Sequence, residues 1–232
     1  MGAVPLALLV GLAAPPDLSV AWAQDFASGL AEEAARAGAH VIGGDVSQAS
    51  PIMVAVTAIG ALSGEEPVTR SGARPSDVVA VAGRLGHSAA GLALLQAGRT
   101  EPSGVVAAHL RPRPPYDAGP EAAALGATSM IDVSDGLLAD LGHIAAASGV
   151  LIDVKTARLE LAAPLTAAAR ALRHDPLEWA LSGGEDHALA VTFPRDVRLP
   201  SHWAAIGRVH EGQGIRVDGS NYRGQSGWQH FR

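Results

Sequence analysis

Three short acidic runs hold most of the chemistry this sequence could perform: Gly43-Gly44-Asp45, Asp132-Val133-Ser134-Asp135-Gly136 and Gly183-Gly184-Glu185-Asp186. In the second, two carboxylates stand three residues apart where an apolar strand gives way to a helix, and a turn entering the helix makes them converge. Hard oxygen donors of this kind suit Mg²⁺, which takes one or two carboxylates and fills its shell with water and phosphate oxygens. The helix start adds backbone N–H donors for anionic oxygens. The competing reading is that Ser134 or Asp135 only caps the helix. In the first run, the glycine pair lets the backbone approach a ligand closely as Asp45 leaves a strand; the alternative is a turn in which Asp45 bonds its own backbone. The third run joins Trp179-Ala180-Leu181 to a strand beginning at Ala188. Together the runs point to a metal-assisted reaction of phosphates, in which positioning and charge neutralisation suffice without a covalent nucleophile.

Arg70, in Arg70-Ser71-Gly72-Ala73, stands at a loop edge where a guanidinium can clamp a phosphate; the alternative is a solvated surface arginine. Gly83-Arg84-Leu85-Gly86-His87-Ser88 resembles a phosphate cradle at a helix start but lacks the lysine and spacing of a P-loop. His87 and His143 are each either catalytic or structural. No Ser-His-Asp arrangement and no zinc-spaced histidine cluster stands out, and the absence of cysteine removes thiol nucleophiles, disulfides and zinc-thiolate sites.

These residues need a scaffold, and the rest of the chain supplies an alternating one. At 232 residues with 48% hydrophobic and 17% charged residues, it can bury one large or two modest cores. A net charge of -6 gives no footprint for a nucleic-acid backbone. The apolar opening, Gly2 to Pro15, lacks a basic flank, is too short to span a bilayer and carries prolines, so it reads as a buried strand over Leu6–Leu12, with an export signal as the alternative. A helix over 18–37 and strands over 40–42 and 52–59 follow. A strand over 78–82, a glycine turn and a helix over 88–96 come next. The proline-rich stretch 111–120 reads as an irregular bridge between domains. Strands over 129–133, 151–154, 188–193 and 204–209, helices over 137–147 and 165–172, and a glycine-rich tail of short strands and turns complete an α/β or α+β pattern.

Taken in order, these runs resemble the thiamine-monophosphate kinase family. Beside the three acidic runs, the resemblance rests on Arg70 to Ala73, Asp77 to Gly83, Ser88 to Leu92, His109 to Pro114, Ile131 to Leu137 with Asp140-Leu141, and Gly227-Trp228-Gln229-His230-Phe231. It implies a two-domain PurM-like fold, with 1–112 as the remainder of an N-terminal ATP-binding and dimerising domain and 113–232 as the C-terminal domain. It also implies a cytoplasmic homodimer, with no nucleic-acid or membrane partner, that phosphorylates thiamine monophosphate to thiamine diphosphate with ATP and Mg²⁺. By the same resemblance Asp45, Asp132 and Asp135 hold Mg²⁺, and Gly44, Asp45, Arg70 and Ser134 meet the nucleotide. Glu185 or Asp186 faces the thiamine phosphate, and Trp228 stacks near its cationic ring.

The chain departs from that pattern at its start. Family members carry Gly-Asp-Asp, an Asp-rich segment ending in His-Phe, and Ser-Asp upstream of the part matching Gly2-Ala3-Val4-Pro5; Met1 corresponds to an internal methionine. The expectation is a misassigned start or a truncated form, poor in metal ligands and weakly active alone. Competing readings are a non-catalytic nucleotide-binding protein or a relative such as aminoimidazole ribonucleotide synthetase. Selenophosphate synthetase and the hydrogenase maturation dehydratase, which in their usual forms rely on a cysteine, fit less well.

Overall fold

The computed structural model describes residues 1–62, 64 and 66–228. By backbone contacts it divides into two compact units, Ala3–Glu66 and Met1–Gly2 with Pro67–Arg232.

The first unit is a three-stranded sheet with one helix: β1 (Val4–Ala14), α1 (Val20–Arg36), β2 (His40–Gln48) and β3 (Met53–Ala61). β1 is central, parallel to β2 and antiparallel to β3. Ser19 caps α1 by accepting from the Trp22 N–H at 3.1 Å. Two expectations need correction here. Gly43, Gly44 and Asp45 form no turn: they run mid-strand in β2, opposite Leu9, Val10 and Gly11. A Cβ on Gly44 would lie 1.9 Å from the Val10 carbonyl oxygen, so glycine is what lets β1 and β2 approach. The opening strand is also not buried: β1 is mostly half-exposed, and every residue of β2 and β3 is exposed. One helix and three strands offer too little material to cover two sheet faces.

The second unit holds a seven-stranded sheet ordered β10-β9-β6-β8-β4-β7-β5. Its strands are β4 (Val78–Ala82), β5 (Ser129–Val133), β6 (Leu151–Val154), β7 (Ala188–Phe193), β8 (Trp203–His210), β9 (Gly214–Val217) and β10 (Ser220–Asn221). All neighbours are antiparallel except β6 and β9. Around it lie α2 (His87–Gln96), α3 (Ser103–Leu110), α4 (Ala118–Ala124), α5 (Leu137–Ser148), α6 (Ala163–Leu172) and α7 (Pro176–Ser182). Strand alternation splits the core: Val79 and Val81 of β4 join Leu137, Leu141 and Ile144 of α5, while Ala80 and Ala82 join Met130, Phe193 and Trp203. β4 is hydrogen-bonded between β7 and β8, so the division expected at 112/113 falls inside this unit. The stretch 111–120 is only partly irregular, because α4 begins at Ala118 and Pro120 sits in its first turn, where its missing N–H breaks no helical bond. Among the described residues no helix is long and apolar enough to cross a membrane.

Candidate active site

The turn from β5 into α5 presents the paired carboxylates. Asp132 is exposed at the end of β5, and Gly136 makes the N-cap of α5 with no side-chain cap. The capping alternative for Ser134 and Asp135 is therefore corrected. Asp140, inside the first turn, instead reaches back to accept from the N–H groups of Asp135 and Gly136 at 3.0 and 3.1 Å. Burial raises the Asp140 pKa, opposed by those two donors and reinforced by the charges of Asp135 and Asp132. Gly136 has φ 130°, and a Cβ there would stand 2.6 Å from the Ser182 carbonyl, so the turn needs glycine on both counts.

Two further segments pack on this turn. The Glu185 N–H donates to the Ser134 carbonyl at 2.8 Å and the His187 N–H to the Val133 carbonyl at 3.0 Å, laying the third acidic run against the second. From the C-terminal side, the Trp228 N–H donates to the Asp135 carbonyl at 2.9 Å and the Ala139 N–H to the Ser226 carbonyl at 3.0 Å, which carries Trp228 to the same place. Gln229, His230 and Phe231 of that motif lie outside the described residues.

Ser134 and Asp135 line two cavities at once. One, of about 630 Å³, is walled by Trp179, Tyr222 and Trp228 with Glu178 and Glu185. The other, of about 600 Å³, is lined by Arg70, Asp132, Asp140 and His143. Glu185 and Asp186 part company: Glu185 is exposed on the first cavity. Asp186 is buried and accepts from the N–H groups of Gly86 and Ser88, at 2.5 and 2.8 Å, at the start of α2. Gly44 and Asp45 belong to the first unit, Asp45 exposed on β2. His87 is buried, its Nδ1 3.1 Å from the Leu85 carbonyl, and burial lowers its pKa; it lines neither cavity. Sequence reasoning missed Tyr222 and the His174–Trp179 stack, with ring centroids 4.4 Å apart. The Asp175-Pro176 start of α7, with Asp175 accepting from the Leu177 N–H, was the signal available for the latter.

Desolvation pushes Asp186 up to about 7 against the pull of three backbone N–H donors. Because the folded pKa lies well above that of an ordinary aspartate, the native state holds this proton more tightly. The associated stability is complete at low pH and is lost as pH rises through about 7. From pH 5.5 to 8, the wild type therefore loses about 2 kcal/mol more than Asp186→Asn, whose amide does not titrate. Urea denaturation of both proteins at the two pH values measures this, and parallel slopes would contradict it.

Comparison with known proteins agrees with this architecture. Residues 1–62 match the AIR synthase related protein, N-terminal domain. The fold is that of the PurM-like, AIR synthase-related class. The thiamine-monophosphate kinase of Mycobacterium tuberculosis is 51% identical over 233 residues, covering 100% of this chain and 69% of that protein. The one from Corynebacterium glutamicum is 39% identical over 243 residues, covering 100% and 72%. A solved structure of AaThiL complexed with AMPPCP and TMP superposes with a TM-score of 0.92 at 36% identity, over 99% of this chain and 75% of that one. The chain belongs to the thiamine-monophosphate kinase family.

Proposed function

We propose that this chain transfers the γ-phosphoryl group of ATP directly to thiamine monophosphate, giving thiamine diphosphate and ADP. The observation that carries the reading is the shared wall: Ser134 and Asp135 line both an arginine- and carboxylate-lined cavity and an aromatic one. A nucleotide phosphate chain in the first and a cationic heterocycle in the second would meet at that turn. AaThiL has been solved in complex with AMPPCP and TMP, which supports a pair of ligands of these two kinds.

Asp132 and Asp135 supply two hard oxygen donors and phosphates the remainder, a donor set that fits Mg²⁺. Among the described residues no group of three or more His, Cys, Asp or Glu side chains that could hold a metal ion is present. Bound at Asp132 and Asp135, Mg²⁺ would neutralise charge on the β- and γ-phosphates. Arg70 clamps a phosphate and Ser134 donates to one. Glu185 faces the thiamine phosphate moiety, while Asp186 holds the loop from behind. A phosphate oxygen of thiamine monophosphate attacks the γ-phosphorus in line, and ADP departs as its β–γ bridging oxygen takes the electron pair.

Formation of ADP and thiamine diphosphate from ATP and thiamine monophosphate, with Mg²⁺ and again after chelation, tests the reading. ATP binding without product would favour a non-catalytic nucleotide-binding protein. Trp228 is 63% exposed on the aromatic cavity, so Trp228→Ala is expected to raise KM for thiamine monophosphate about 5- to 30-fold, from the loss of stacking and cation–π attraction. Its KM for ATP should stay within twofold; equal shifts for both substrates would argue against this placement.

The exposed apolar residues of the first unit support a homodimer. Val41, Ile42 and Val46 of β2 and Met53, Val56 and Ile59 of β3 are exposed large apolar side chains, more than a lone sheet ordinarily shows to water. Sedimentation is expected to give two copies at micromolar concentration, and a clean monomer would count against the pairing.

A further inference from the structure

Beside the phosphate-handling turn, the aromatic cavity holds a second polar pair. Ser88 Oγ and His109 Nδ1 are 3.0 Å apart, and both residues line the cavity. Helix packing builds the pair. At Gly91 of α2, a Cβ would stand 2.2 Å from the Val105 carbonyl oxygen and 2.8 Å from His109 Cβ on α3, so only glycine lets these helices close. Ser88 lies one turn before Gly91 on the same face, which sets its hydroxyl beside the imidazole. The Ser88 backbone is held in turn by Asp186.

The two members are not equivalent. Ser88 is 1% exposed, whereas His109 is half-buried on the cavity wall. With Nδ1 engaged by the hydroxyl, Nε2 is left without a partner among the described residues. It is a donor if Ser88 donates to Nδ1 and an acceptor if the proton runs the other way. The same cavity is lined by Ala89, Leu92 and Trp179, apolar groups that attract any flat ring but do not distinguish one ring edge from another.

Resting on the thiamine monophosphate reading above, we propose that His109 is a specificity-determining contact of this site. Its Nε2 accepts from the amino group of the substrate's aminopyrimidine ring while Nδ1–H faces the Ser88 hydroxyl, and Ser88 is the positioning residue that holds the orientation of the imidazole. Where Nε2 accepts from the amino N–H, an oxo analogue presents only another acceptor to that atom, and the bond is lost unless the His109–Ser88 proton order reverses.

Calorimetric binding of thiamine monophosphate and of its oxythiamine counterpart, in which oxygen replaces the pyrimidine amino group, tests this on the whole chain. The wild type should prefer the amino compound by on the order of 10-fold. His109→Asn keeps an amide near Nδ1 for Ser88 and removes Nε2, so the preference should fall to about one. His109→Gln, with a polar group near Nε2, should retain a preference, and Ser88→Ala should weaken it; ATP affinity should be unchanged in all three. A wild-type preference persisting in a folded His109→Asn protein would overturn the inference alone. Failure of the wild type to bind thiamine monophosphate would overturn both the inference and the reading beneath it.

Discussion

Asp135→Asn should lower Mg²⁺-dependent formation of ADP and thiamine diphosphate by on the order of 100-fold or more. The substitution keeps the size of the side chain and removes one negative oxygen from the turn where the two cavities meet. It leaves the turn standing, since the N–H and carbonyl of residue 135, bonded to Asp140 and to Trp228, belong to the backbone. The change also removes a charge whose repulsion helps to raise the Asp140 pKa. The denaturation midpoint should therefore move by no more than about 0.5 kcal/mol equivalent. Turnover measured across Mg²⁺ concentrations is the check, and wild-type turnover in the folded variant would remove Asp135 from the ligand set.

Asp186→Ala should do the opposite, costing about 2–4 kcal/mol of stability by leaving the buried N–H groups of Gly86 and Ser88 without an acceptor. No side chain local to α2 can step in: its N-cap is Gly86, at φ 77°, with no side-chain cap. A Cβ at Gly86 would lie 2.7 Å from the Ala180 nitrogen, so the site also resists repair by a capping residue. The neighbouring Glu185→Ala, at an exposed side chain, should leave the midpoint within about 0.5 kcal/mol. Urea titrations of the two variants separate the roles of these adjacent carboxylates, and equal midpoints would refute the assignment.

That separation marks the limit of what could be read from residues alone. Val78–Ala82, Ser129–Val133, Leu151–Val154 and Ala188–Phe193 coincide with their expected strands, being short apolar runs with abrupt polar or glycine borders. Ser134, Asp135 and Glu185 stood out as parts of two acidic glycine runs, but that the runs meet was implied only by the family resemblance. Which way Asp186 points was not legible, because its partners are in α2, about a hundred residues earlier. α3 escaped notice because Ser103-Gly104-Val105-Val106 carries glycine and β-branched residues rather than a helical signature. With α3 unseen, His109 could not be placed beside Ser88. Gly43-Gly44-Asp45 read as a turn because local preference favours one, yet Gly44 serves the close approach of β1, which only the tertiary structure reveals.

The place of β4 also has a bearing on synthesis. Its partners β7 and β8 end at Phe193 and His210, so a growing chain carries β4 with both edges open until β7 is made and with one open until β8 is made. At roughly 5–20 residues per second that wait is on the order of ten seconds. Throughout it, a strand of valine and alanine is a template for any other nascent chain. The yield of folded protein should thus depend on translation speed and on holdase chaperones more than the final stability of the sheet would suggest.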